Sequence, residues 1–174
     1  WFVYAGDVMA RTDDFRQAAT FYQSGYAALK RPDLLGRWVD SLLRLRPPQI
    51  DEAERALNTL SAAEQRENRM MVEAFRARID QARGRPNEAL ARLVPIYAEA
   101  SERPDTARAW VGQVDLVLGG DPIKIAQFIE GAQPVAEMAP YMKVLLARHL
   151  SQNPQRWPET LELLSGLESE IDAQ

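Results

Sequence analysis

The residue types that most often do chemistry are scarce in this chain of 174 residues. There is no cysteine, so the sequence offers no disulfide, no thiolate nucleophile and no thiolate ligand for a metal or an iron–sulfur cluster. His149 is the single histidine, in the run Leu-Leu-Ala-Arg-His-Leu. No serine–histidine–aspartate arrangement and no second histidine completes a catalytic or metal site around it. We therefore expect no enzyme activity, no metal and no cofactor.

Three further motifs resemble chemical sites but have simpler explanations. The neighbouring carboxylates Asp13-Asp14 and Asp51-Glu52 stand where helices are predicted to begin, and acids there stabilise the positive end of the helix dipole. The run Gly119-Gly120-Asp121-Pro122 lacks the lysine and hydroxyl residue of a phosphate-binding loop, and no strand precedes it. These motifs predict helix starts and a turn.

Composition and charge narrow the class of protein. Hydrophobic residues make up 46% and charged residues 26% of the chain, which is typical of a globular domain. No apolar run approaches the roughly 20 residues that span a bilayer, so we expect no membrane insertion by this segment. Arginines between residues 37 and 85 are matched by acids at helical spacing, which does not favour a nucleic-acid partner. A chain without cysteine fits both the cytoplasm and a bacterial periplasm.

Small residues recur along the chain at nearly constant intervals. Ala18, Ala53, Ala89 and Ala126 follow turn-forming residues and are 35, 36 and 37 residues apart. Apolar residues recur at intervals of three and four, which indicates helices, and no alternating pattern indicates a strand. The period predicts repeated helix pairs, each of which needs its neighbours to bury its apolar face.

The spacing and residue types resemble the tetratricopeptide repeat, a helix-turn-helix unit of about 34 residues. The resemblance rests on small and aromatic residues of the first unit, on the turn Gly-x-x-x-Glu-Ala-Leu from 84 to 90, and on Pro32. It assigns these structural repeat positions: Gly6, Ala18, Tyr22, Ala53, Gly84 and Ala89. It implies an all-α fold, a right-handed α-solenoid of about five antiparallel helix pairs in a single domain over 1–174. The units lie near 1–32, 33–61, 62–103, 104–135 and 136–174.

Helix boundaries follow from the turn and capping residues. The predicted helices span 1–11, 14–29, 33–45, 50–60, 62–83, 86–100, 104–118, 122–132, 137–151 and 157–171. Ser61 and Glu64 predict a capping box, in which each side chain satisfies the other's backbone amide, at the start of a long helix. Pro95 predicts a kink within the helix over 86–100, because proline removes one hydrogen bond and crowds the preceding turn.

The resemblance also implies a binding surface. In that family the first helix of each pair lines a concave groove that holds a peptide or a helix of a partner protein. Carried over by register, the groove residues are Val3, Asp7, Arg11, Gly36, Asp40, Arg44, Glu73, Ala77, Asp80, Arg108, Gly112 and Asp115. The lysine and asparagine set with which some members hold a terminal carboxylate is not reproduced. We expect a partner of mixed charge, because Asp7 and Asp40 are each followed one turn later by an arginine.

The function implied is a non-catalytic protein–protein interaction scaffold within a larger bacterial secretion, cell-envelope or polysaccharide-export assembly. Two alternatives stay open: a regulatory or sensor repeat domain of a larger enzyme or transcription factor, and a solenoid that binds a carbohydrate or nucleic-acid polymer. The sequence opens Trp-Phe-Val-Tyr without an initiator methionine, so we expect a fragment of a longer protein. Trp1 and Tyr4 are then expected to meet neighbouring repeats of the same chain.

Overall fold

The computed structural model describes residues 1–171, with side chains described for residues 1–167. The chain is 81% helical, and residues 1–171 contain no strand, which confirms the all-α class. The α-helices are α1 (Phe2–Arg11), α2 (Phe15–Leu29), α3 (Pro32–Arg44), α4 (Ile50–Leu57), α5 (Ala62–Glu67), α6 (Arg69–Ala82), α7 (Pro86–Leu93), α8 (Tyr97–Ala100), α9 (Pro104–Leu118), α10 (Pro122–Ala132), α11 (Pro140–Leu150) and α12 (Trp157–Ile171). Residues 172–174 of the fifth predicted unit lie outside the described part.

Six of the predicted helices have bounds within one residue of those observed, namely α1, α2, α3, α9, α10 and α12. Pro95 interrupts its helix as expected, because Val94–Ile96 forms a 3-10 turn between α7 and α8. The capping box is also present: the Glu64 amide donates to Ser61 Oγ at 3.3 Å, and the Ser61 amide donates to Glu64 Oε2 at 2.8 Å. Local signals of this kind act within one helical turn, which makes them readable from sequence.

Three predicted helices differ from the structure. The helix over 62–83 is wrong as a single element, because the chain leaves helical geometry at Asn68 (φ −109°, ψ 28°), whose side-chain amide donates to the Glu64 carbonyl at 2.9 Å. Asparagine often competes in this way with the helix backbone. The helix over 137–151 begins only at Pro140, after a short 3-10 turn. The helix over 50–60 ends at Leu57, where the Thr59 hydroxyl bonds the Ala56 carbonyl at 2.7 Å.

The chain forms two compact units, Trp1–Ala89 and Leu90–Gln174, with the division inside α7. In the first unit α2 packs against α1 and α3, while α3 also packs against α4 and α6. Its core consists of fully or nearly fully buried apolar side chains, which include Tyr22, Leu34, Leu35, Val39, Leu57 and Val72. The burial of such surface stabilises a fold by about 25 cal/mol per Å². The helix α3 is the centre of this unit.

The second unit is organised around α9, which packs against α8, α10 and α11, while α12 packs on α11. Trp110 fills its core: the indole nitrogen donates to the Leu93 carbonyl at 2.8 Å, and the ring meets Tyr97 edge-on at 5.0 Å between centroids. Phe128 stacks on the Trp110 ring at 5.8 Å between centroids. The Trp110 side chain thus combines a large buried area with a satisfied polar atom.

The small residues that mark the period are all in the interior. Ala18, Ala53, Ala89 and Ala126 have at most 1% of their surface exposed. Gly84 has a φ of +74° just beyond the end of α6, a left-handed conformation that glycine adopts without strain. The alanines are therefore sites where side-chain volume is limited by packing, and Gly84 is a site where the backbone sets the residue type.

Candidate functional site

The helix α3 is nearly enclosed, and its accessible side carries charge. Seven residues are buried: Leu34, Leu35, Gly36, Trp38, Val39, Ser41 and Leu42. Asp33, Arg37, Asp40 and Arg44 follow one another at intervals of four, three and four, so they lie along one face of the helix. They are exposed or half-exposed, and they alternate in sign. We call these four residues the ionic stripe.

The stripe is bound to α1 through the carboxylate of Asp7. That carboxylate accepts a hydrogen bond from the Tyr22 hydroxyl at 2.5 Å and forms an ion pair with Arg37. The Arg37 guanidinium also lies 5.9 Å from the centre of the Tyr22 ring. Burial raises the pKa of the Tyr22 hydroxyl, and its bond to Asp7 raises that pKa further. One carboxylate thus joins α1, α2 and α3.

A second carboxylate binds the stripe to α6. Asp40 forms ion pairs with Arg44 on its own helix, with Nε and Oδ2 at 2.9 Å, and with Arg78 of α6, with Nη1 and Oδ1 at 2.5 Å. The Arg78 side chain is only 14% exposed and lies 5.5 Å from the centre of the Phe75 ring. The stripe therefore presents charges whose positions are fixed by neighbouring helices.

Other predicted groove residues of the first unit take different places. Arg11 is exposed at the end of α1. Glu73 pairs with Arg76 at 2.8 Å and remains partly accessible. Ala77 is fully buried, and Asp80 is 3% exposed and forms an ion pair with Arg85. Because an isolated buried carboxylate is costly, Arg85 provides the charge that keeps Asp80 in the interior. Asp80 and Ala77 therefore do not lie on the accessible face.

The two remaining predicted groove residues of the first unit are Gly36 and Val3. Gly36 is buried where α3 crosses α6, and a Cβ there would come within 3.2 Å of the Phe75 ring. Val3 is half-buried on α1, while Trp1 and Tyr4 beside it are 84% and 70% exposed. Gly36 thus sets the approach of two helices and contributes no surface.

In the second unit Arg108 and Gly112 are exposed on α9, and Asp115 is half-buried. Asp115 acts electrostatically on His149 of α11. Burial lowers the pKa of His149 below its ordinary value of 6.5; the charge of Arg148 lowers it further, whereas that of Asp115 raises it. The Nδ1 atom of His149 is buried without a hydrogen-bond partner in the described structure. The described residues contain no group of three or more potential metal ligands around it, and its burial is that of a residue packed partly into the interior.

Arg37 and Arg78 are absent from the residues predicted by sequence, although both bind predicted acids. The sequence does contain a local indication of Arg37, because this residue lies three positions before Asp40 on the same face of the same helix. It contains no such indication of Arg78, because that residue lies 38 positions from Asp40 along the chain. Such a pairing depends on how α6 is rotated against α3.

Comparisons with known proteins do not assign the chain to a family. No protein-family model matches it, no curated protein matches it, and no solved structure matches it. Within residues 1–171 no helix is both long and apolar enough to cross a bilayer. The same residues contain no group of three or more acidic or histidine side chains arranged to hold a metal ion.

Proposed function

We propose that this chain is a non-catalytic interaction scaffold of the tetratricopeptide type, and that the ionic stripe and Asp7 bind a peptide or helix of mixed charge on a partner protein. The observation that carries the proposal is the contrast within α3. Seven of its residues are buried, whereas its accessible face alternates Asp33, Arg37, Asp40 and Arg44. Ion pairs with Asp7 and Arg78 hold two of these charges in place, and the accessible face keeps a fixed alternating pattern that a partner of mixed charge can recognise.

The electrostatics support selectivity more than tight binding. Asp7 and Arg78 hold Arg37 and Asp40 in place, so a partner does not have to order these side chains when it binds. Exposed ion pairs contribute only about 0.2 to 1 kcal/mol each and are screened by salt. Binding is therefore in the micromolar range and weakens as the ionic strength rises, while a partner with the wrong charge order is rejected.

The scaffold is proposed to serve a larger bacterial secretion, cell-envelope or polysaccharide-export assembly, as the resemblance in the sequence implies. In such an assembly a surface of fixed alternating charges distinguishes one partner from many similar helices. Modest affinity at one surface is compatible with stable assembly, because several weak contacts in one complex reinforce each other.

The test reverses the charge of two arginines on the stripe and compares the effect with the same reversal at two arginines outside it. Arg37→Glu with Arg44→Glu reverses both cations of the stripe. Arg16→Glu with Arg55→Glu makes the same change in net charge at two exposed arginines of α2 and α4, the second helices of their pairs. Each variant and the unaltered chain are immobilised, and proteins captured from a lysate of the source cells are quantified at low and at high salt. Circular dichroism melts verify that both variants are folded.

We expect the stripe variant to lose the salt-sensitive partners that the unaltered chain retains. The variant with Arg16→Glu and Arg55→Glu, called the α2/α4 variant, is expected to keep them. If the stripe variant keeps the same partners in the same amounts at low salt, the stripe is not the binding surface. If the α2/α4 variant alone loses them, the surface formed by the second helices takes its place.

A further inference from the structure

An open pocket lies at the end of the ionic stripe, and the stripe residue Arg44 is part of its wall. It encloses about 950 Å³ between the α1–α2 turn and the α3–α4 loop. We call it the loop pocket; its lining residues are Asp13, Phe15, Leu43, Arg44, Leu45, Arg46, Pro47 and Pro48. Pockets of a few hundred to about 1,000 Å³ are of the size that holds small ligands or several side chains.

The two sides of the loop pocket are fixed by hydrogen bonds. The loop from 45 to 48 is closed by the Gln49 amide, which donates to the Leu42 carbonyl at 3.0 Å. On the other side the Asp14 amide donates to the Met9 carbonyl at 2.9 Å, and the Asp14 side chain caps α2 by accepting from the Gln17 amide at 3.1 Å. The pocket is therefore formed before any ligand arrives.

Two arginines, Arg44 and Arg46, line this pocket. Arg44 is held by its ion pair with Asp40 and by the Phe15 ring, whose centre is 5.4 Å from the guanidinium carbon. Arg46 lies two residues further on, beyond the end of α3, and it also lines the pocket. Arg46 is exposed. A carboxylate between them meets donors that suit its planar shape.

The remaining walls are apolar, with one exception. Phe15, Leu43, Leu45 and the two prolines offer surface for a hydrophobic side chain. Asp13 is the exception: it stands in the left-handed region (φ 58°) at the turn and brings a carboxylate to the rim. A carboxylate at the rim repels any anion in the pocket, but it also accepts a hydrogen bond from a backbone amide, which a bare phosphate or sulfate does not have. A peptide supplies both an acidic side chain and such amides.

We propose that the loop pocket binds an acidic side chain flanked by bulky apolar residues, within a peptide segment of the partner protein. The carboxylate lies between Arg44 and Arg46, the flanking apolar side chains contact Phe15 and Pro48, and a backbone amide donates to Asp13. This inference rests on the proposed function, because the peptide in the loop pocket is taken to belong to the same partner that binds the ionic stripe. The acidic residue and its apolar neighbours would follow the segment of that partner that lies on the stripe.

The test uses two synthetic peptides that differ in charge alone, acetyl-Leu-Glu-Leu-amide and acetyl-Leu-Gln-Leu-amide. Each is titrated into the full chain labelled with ¹⁵N, and backbone amide shifts are followed by NMR. The glutamate peptide shifts the amides of residues 13–15 and 43–49 in a saturable manner. The glutamine peptide, and the glutamate peptide with Arg46→Gln, bind roughly tenfold or more weakly, since hydrogen bonds between charged groups are the strong ones. Arg103→Gln, the same change at an exposed arginine of the second unit, leaves binding unaltered.

Equal affinity for the two peptides, or shifts confined to other residues, overturns the proposal. Inorganic phosphate that produces the same shifts at similar concentration also overturns it, because the pocket is then a general anion site. The single variant Arg37→Glu changes the stripe and leaves the pocket residue Arg44 in place. Binding of the glutamate peptide together with unchanged partner capture by Arg37→Glu sustains the pocket and refutes the stripe. Loss of partners by Arg37→Glu without peptide binding does the reverse.

Discussion

Gly6 of α1 lies directly against the ring of Tyr22 in α2. A Cβ atom added to Gly6 would stand 2.3 Å from Tyr22 Cε1, closer than any real contact, and two further ring atoms lie within 2.7 Å. The ring has little freedom to withdraw, because its hydroxyl is bonded to Asp7 and Arg37 lies over its face. The approach of α1 to α2 therefore depends on the absence of a side chain at this position.

Gly6→Leu is expected to lower the free energy of unfolding by about 1 to 3 kcal/mol, because the added side chain forces Tyr22 out of the core. Ala89→Leu, at a fully buried position, has a similar cost. Gly112→Ala is the control: it is an exposed glycine within α9 with no atom near its Cβ position, so alanine stabilises the helix by about 0.5 to 1 kcal/mol. Urea melts measure all three, and wild-type stability of Gly6→Leu would refute the packing described here.

The ion pair between Asp40 and Arg78 leads to a second prediction. Asp40→Asn leaves the largely buried Arg78 without that countercharge and costs about 1 to 2 kcal/mol of unfolding free energy. Asp33→Asn, which removes the carboxylate that pairs with the exposed Arg31, costs at most about 1 kcal/mol.

The control for this pair is a double variant. Arg78→Met in the Asp40→Asn background removes the charge that lost its partner, and it restores part of the stability. An additive loss from the two substitutions would show that Asp40 and Arg78 do not interact in solution.

The sequence predicts features that arise within one or two helical turns. The capping box at Ser61, the break at Pro95 and the bounds of α1 and α9 each depend on neighbouring residues alone. The interruption of the predicted helix over 62–83 at Asn68 was not predicted. The Asn68 side chain can point outward to water or bond back to the Glu64 carbonyl, and the sequence pattern does not decide between the two.

The candidate site is only partly predictable for a related reason. The spacing of Asp40 and Arg44 places both on one helix face, and the structure places both in the ionic stripe. Asp80 has the same kind of pattern but is buried, because the rotation of α6 directs that face toward the interior and Arg85 supplies the countercharge. The loop pocket depends on two turns that are about 30 residues apart in sequence, and their proximity follows from the packing of α2 on α3.

The capping box gives a third prediction. Ser61→Ala removes the side-chain acceptor of the Glu64 amide and is expected to cost about 1 kcal/mol. Ser24→Ala is the matched control, because Ser24 is exposed inside α2, where alanine has the higher helix propensity and stability rises slightly. Thermal melts compare the two, and equal midpoints would mean that the start of α5 does not contribute to global unfolding.

The fourth prediction concerns the pH dependence of stability and rests on His149. Burial lowers the pKa of this imidazole in the folded chain, so the unfolded chain binds the proton more readily. The contribution of the neutral side chain to stability is therefore complete above the ordinary pKa of 6.5 and is lost as the pH falls through the folded pKa. His149→Phe keeps an aromatic ring and removes the titration.

The unfolding free energy of the unaltered chain is thus expected to decrease relative to that of His149→Phe as the pH falls from about 7.5 to about 5. Asp115→Asn enlarges the decrease, because Asp115 is the charge that favours the protonated imidazole and opposes Arg148. Urea titrations at several pH values measure the difference directly. Parallel pH profiles for the unaltered chain and His149→Phe would show that the imidazole has the same pKa in both states, and the partial burial of His149 on α11 would then be wrong.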